Sequence, residues 1–166
     1  MYIHVMRHVI FLFLFAFSTS LVVNAKDIPS AQSCAEKIGT CEYYNCLEER
    51  ESCGSNGYYL KFAAHYCRKY QEKQNKYTDR GQEFLTSIRT CLQDELERER
   101  IHSNELPSCS KIENFAIETH KYCYQKSNFC GLPLQDQIRV KLTAKKEIIH
   151  IDMIKFGLWL EKSCDN

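Results

Sequence analysis

Glycine and proline are scarce in this chain, with six and three copies among 166 residues. So few breakers exclude an architecture of many tight turns. Leu, Glu, Lys, Gln and Arg are plentiful, which is the composition of helices joined by short connections, and an all-α fold is expected. A surplus of charge is missing as well: 22 Lys and Arg stand against 21 Asp and Glu. Balanced charge exerts no long-range pull on a phosphate backbone or an anionic lipid surface, and no basic stripe is interleaved with aromatics, so no nucleic-acid partner is expected. After the first 17 residues no stretch approaches the roughly 20 apolar residues of a membrane span. The chain also lacks a Gly-x-Ser-x-Gly elbow, a His-Glu-x-x-His zinc helix and an EF-hand string. An enzyme, a cofactor and a bound metal are accordingly not expected.

What is present begins with MYIHVMRHVIFLFLFAFSTSLVVNA, in which Arg7 precedes an apolar run from Val9 to Phe17 and small residues lead to Ala25. This is the pattern of a secretory signal over residues 1–25, too short in its apolar part for an anchor. The mature chain, residues 26–166, is expected to be a secreted, extracellular protein of one helical, disulfide-rich domain. All ten cysteines follow that cut, at 34, 41, 46, 53, 67, 91, 109, 123, 130 and 164. An even count in an oxidising compartment predicts five disulfides.

Apolar spacing supports the helices. In NGYYLKFAAHYCRKY the residues Tyr59, Phe62, Ala63, Tyr66, Cys67 and Tyr70 recur at three and four. A second run after Thr78 places Phe84, Leu85, Ile88, Cys91 and Leu92 on one face, with Gly81 costing about 1 kcal/mol relative to Ala. A third, opened by Pro107-Ser108, aligns Ile112, Phe115, Ala116, Thr119, Tyr122 and Cys123 and is expected to stop at Gly131-Leu132-Pro133. QIRVKL, residues 137–142, alternates like a strand. It is assigned to helix together with most of 144–162, because an isolated strand would leave its backbone groups unsatisfied. DELERER, residues 94–100, reads as a solvated helix end with i,i+3 and i,i+4 charge pairs.

Several cysteines are seven or fourteen apart: 34 and 41, 46 and 53, 53 and 67, 109 and 123, 123 and 130. Where a helix is continuous, residues seven apart share a side of it but lie about 10 Å apart, beyond the roughly 7 Å that a disulfide allows between α-carbons. Each must then reach another segment, so helices stapled to helices are expected. Spacing leaves the pairing itself open.

Spacing and neighbours together resemble the stanniocalcin family of secreted hormone-like glycoproteins. CLEERESC (46–53) is similar to the family's Cys-Leu-Glu segment, GQEFLTSIRTC (81–91) to its Gly-Lys-x-Phe segment, and CYQKSNFCG (123–131) to its Cys-Tyr-Ser segment. The resemblance covers nearly all of residues 26–166. It implies the bridges Cys34–Cys46, Cys41–Cys67, Cys53–Cys109, Cys91–Cys123 and Cys130–Cys164. It also implies a hormone or regulatory role in calcium and phosphate homeostasis, through an extracellular protein partner or receptor, protease inhibition included. Three departures limit the transfer. The family's further cysteine, which joins two subunits, has no counterpart after Cys164, so a non-covalent homodimer stays open while a covalent one is not expected. No Asn-x-Ser/Thr follows residue 25, so N-glycosylation is not expected. The segment between Cys53 and Cys67 is lengthened by GSNGYY.

The alternatives are a secreted disulfide-rich binding module or effector, and a secreted phospholipase-like enzyme. CGSNGYY superficially resembles a phospholipase calcium loop, but His65-Tyr66-Cys67 lacks the adjacent Asp and paired cysteines that such catalysis needs. His65, His102, His120 and His150 stand singly and are read as structural or surface residues, His120 as a bystander to Cys123.

Overall fold

The computed structural model describes residues 30–103, 106–144 and 151–165. The signal reading of residues 1–25 lies outside them. Among the described residues there are seven α-helices and no strand. Helices α1 (Ala31–Ala35) and α2 (Glu42–Glu51) come first. A π-helical segment, Tyr58–Ala64, runs directly into α3 (His65–Glu72). They are followed by α4 (Asp79–Ser103), α5 (Ile112–Lys126), α6 (Leu134–Thr143) and α7 (Ile151–Cys164). The strand-like alternation of residues 137–142 is therefore helical.

Polar side chains set several of these boundaries. The Ser33 N–H donates to Ser30 Oγ at 3.1 Å and starts α1. Ser52, in the left-handed region with φ 54°, ends α2, and the Gly54 N–H beyond it donates to Glu48 Oε1 at 2.6 Å. At the start of α4 the Gly81 N–H donates to Thr78 Oγ1 at 3.2 Å. Thr78 in turn donates its hydroxyl and its N–H to the fully buried carboxylate of Asp136 in α6. A carboxylate at this helix N-terminus also interacts favourably with the dipole.

The 25 residues of α4 run about 37 Å and feed both halves of the core. In one half Phe84, Leu85 and Ile88 pack with Tyr124 and Phe129, and with Val140, Phe156 and Leu160 of α6 and α7. In the other, Leu96 packs with Tyr43, Tyr44 and Leu47 of α2, with Tyr59, and with Ile112 at the start of α5. One fully buried amide, that of Gln93 in α4, ties the helix to the α1–α2 turn. The Gly39 N–H donates to Gln93 Oε1 at 2.6 Å, and Gln93 Nε2 donates to the Thr40 carbonyl at 2.8 Å, so one amide side chain satisfies both sides of the α1–α2 turn.

Three expectations need correction. DELERER is not a solvated end: Glu95, Leu96 and Glu97 are buried. Glu97 accepts from the Tyr43 hydroxyl at 2.9 Å and from Arg100 Nε at 2.6 Å, and Glu95 pairs with Arg98. Alternating charge on a helix holds one sign against the core when the core supplies a donor. Secondly, α5 ends at Lys126, and Asn128 rather than Gly131 takes the left-handed conformation, with φ 56°. Thirdly, Tyr124 turns into the core while Tyr122 is 46% exposed. None of the cysteine pairs seven apart lies in a continuous helix. Cys41 and Cys53 sit just outside α2, and Cys130 lies past the end of α5, so these spacings straddle helix ends. Of residues 144–162, Ala144 follows the end of α6, 145–150 lie outside the described residues, and 151–162 belong to α7.

Candidate functional site

Five disulfides tie these elements together, and all ten cysteines are bonded. Cys34–Cys46 joins α1 to α2, and Cys41–Cys67 joins the entrance of α2 to α3. Cys53–Cys109 clamps the loop after α2 to the loop before α5. Cys91–Cys123 crosses from α4 to α5 inside the core, and Cys130–Cys164 anchors the last turn of α7. The α-carbons of the pairs stand 5.2 to 5.8 Å apart, within the span that a bridge requires. Cys123 is wholly buried and bonded, which removes it as a thiolate ligand or nucleophile beside His120.

His120 is more than a bystander. It lies among three aromatic rings, with centroids 6.4 Å from Phe62, 6.2 Å from Tyr124 and 6.1 Å from Phe156. Its Nδ1 stands 2.6 Å from the Ala116 carbonyl. A carbonyl can only accept, so Nδ1 carries the proton. Burial pushes the imidazole below its ordinary value, against a smaller upward pull from that carbonyl, so the neutral ring with Nε2 as an acceptor is favoured. His65 and His102 are exposed, and His150 lies outside the described residues. Among the described residues no group of three His, Cys, Asp or Glu side chains is placed to hold a metal.

Two cavities meet at His120, Tyr58 and Phe62. One, of about 80 Å³, lies toward α3 and α4 against Tyr66, Tyr70 and Ile88. The other, of about 210 Å³, lies between the π-helical segment, α5 and α7, with Ala116, Ile117 and Phe156 on its walls. Asn56, Lys61 and Glu113, all exposed, border the larger one. The π pitch sets this geometry. It turns Tyr59 and Ala64, five residues apart, fully into the core, and leaves Tyr58 stacked on Phe62 at 5.8 Å as the partition between the cavities. Helical periodicity at three and four could not anticipate that pitch.

On the outer face of the last two described helices, Leu134, Ile138 and Leu142 of α6 and Ile154 and Leu158 of α7 are exposed, each by 43 to 70%. They recur every four residues and form apolar ridges along the two helices. An ion pair between Lys141 Nζ and Glu161 Oε1, 3.2 Å apart, links the two helices.

Among the described residues seven helices are held by five disulfides that take up all ten cysteines. A model of the stanniocalcin family matches residues 19–154, and with them nine of the ten cysteines. The chain belongs to the stanniocalcin family. Cys164 alone falls beyond the matched range, and its bridge to Cys130 ties α7 back to the matched region. No curated protein sequence and no solved structure matches the chain. The fold and the stanniocalcin match together describe a regulatory scaffold of stapled helices, and among the described residues no helix is long and apolar enough to cross a membrane.

Proposed function

We propose that this stanniocalcin-family protein is secreted and acts in the balance of calcium and phosphate by binding an extracellular protein partner or receptor. The family match over residues 19–154 carries the reading. Two features support it. Complete pairing of the cysteines fits an oxidising, extracellular setting. The exposed apolar ridges of α6 and α7 fit a protein contact, since solvent-facing Leu and Ile at regular helical spacing add nothing to the core. In this reading the protein works through a surface and is not an enzyme.

The test has two arms. Purified, oxidised protein is added to an ion-transporting epithelium and the calcium and phosphate fluxes are measured; a change in either supports the mineral reading, and none in either, together with unchanged fluxes on gene deletion, would sink it. In parallel, the protein is cross-linked to extracellular extract, with the triple variant L134S/I138S/L142S as control. Capture of an endogenous ion-transport receptor supports the hormone reading. A captured protease favours inhibition, and a partner from another organism favours the effector alternative.

A further inference from the structure

We propose that the larger cavity is a binding site for a small neutral aromatic molecule carrying one hydroxyl or N–H donor, of the phenol or indole class. The argument starts from volume. A dry, apolar cavity of about 150 Å³ is enough for benzene; this one, at about 210 Å³, accepts one ring with a polar substituent. Its walls suit a planar ligand. Tyr58 and Phe62 stand on one side, Phe156 on another, and aromatic edges and faces pack a ring in offset or edge-on geometry.

One polar group then orients the guest. His120 gives its Nδ1 proton to the Ala116 carbonyl, which leaves Nε2 as the acceptor of the neutral ring. His120 is half-buried on the wall shared by both cavities, where its acceptor is within reach of a guest. A ligand O–H or N–H can donate to that nitrogen, whereas a purely apolar ring cannot. The carboxylate of Glu113 and the ammonium of Lys61 at the border are both exposed and of opposite sign, so they impose no net charge on the guest. The π-helical segment on the other side is of the kind that frequently accompanies binding sites, because it displaces side chains from the regular helical ladder. Three independent features therefore converge on one place.

The test uses phenol and toluene as probes of equal ring size, titrated into the full secreted protein and followed by calorimetry and by the His120 imidazole resonances. Phenol is expected to bind about tenfold more tightly than toluene, the difference made by one hydrogen bond to the half-buried imidazole. His120→Phe keeps the aromatic wall and should abolish that preference while toluene still binds. Ile117→Trp, on a partly exposed wall position, should fill the space and abolish binding of both. Each variant is first checked for its helical spectrum and intact bridges. Absence of phenol binding at millimolar concentration, or a phenol preference that survives in His120→Phe, overturns the proposal.

Discussion

At the scale of single residues, buried polar groups are where side chains of ordinary helical sequence acquire specific roles. Gly81 shows this best. A Cβ there would stand 2.5 Å from Asp136 Oδ2 and 2.9 Å from Tyr77 Cβ. Helix propensity alone favours Ala by about 1 kcal/mol. The clash, however, falls on a buried carboxylate held by Thr78 and Arg139, so Gly81→Ala is expected to destabilise by about 1–3 kcal/mol in chemical denaturation, the usual range for overpacking. A gain in stability would show that Asp136 moves freely. His120 provides a pH signature. Its folded value is depressed, so below about pH 6.5 the unfolded chain binds the proton that the folded chain refuses, and stability is lost as pH falls through the folded value. Denaturation midpoints measured from pH 7.5 to 5 should fall more steeply for the wild type than for His120→Phe.

At the scale of elements, α6 explains why its sequence alternates. Asp136, Val140 and Thr143 face inward, while Leu134, Ile138 and Leu142 face outward, so apolar residues occupy two sides of one helix and imitate the period of a strand. Removing the outward set should cost little. The triple variant L134S/I138S/L142S is expected to stay within about 0.5 kcal/mol of the wild type per site, because exposed positions contribute little to folding, while losing partner capture. A large loss of stability would instead mean that the ridge is packed in the folded monomer. Tyrosine reports on the elements around it. Tyr43, Tyr44, Tyr58, Tyr59, Tyr70, Tyr77 and Tyr124 all have ionisation pushed upward, chiefly by burial. For groups raised in this way stability is complete below the unfolded value near 10 and is lost as pH rises above it. Ultraviolet titration should therefore show these seven ionising only together with unfolding.

At the scale of the whole molecule, the bridges differ in what they constrain. Cys53–Cys109 closes a separation of 56 residues and Cys34–Cys46 one of 12. By the chain-entropy model these correspond to on the order of 4 and 3 kcal/mol. Double Ser replacement of the first pair should lower the denaturation midpoint more than replacement of the second. Peptide mapping without reduction should recover Cys91 with Cys123 and Cys130 with Cys164; recovery of Cys109 with Cys123 would contradict the structure.

Several properties were determined by the order of residues alone. Scarce glycine and proline with apolar positions at three and four specify helices, because local backbone preference and one-sided burial act within each segment. The cysteine ladder and its neighbouring strings specify the stanniocalcin family. Other properties arose only when segments met. Glu97 is buried because Tyr43, far away in the chain, offers it a proton; Asp136 caps α4 from α6; and Gly81 is needed because that carboxylate arrives beside it. The π pitch that brings Tyr58, Phe62 and His120 around one cavity leaves no mark in a period of three and four. These are contacts between distant segments, and their energy depends on distance in space, which the linear order does not encode.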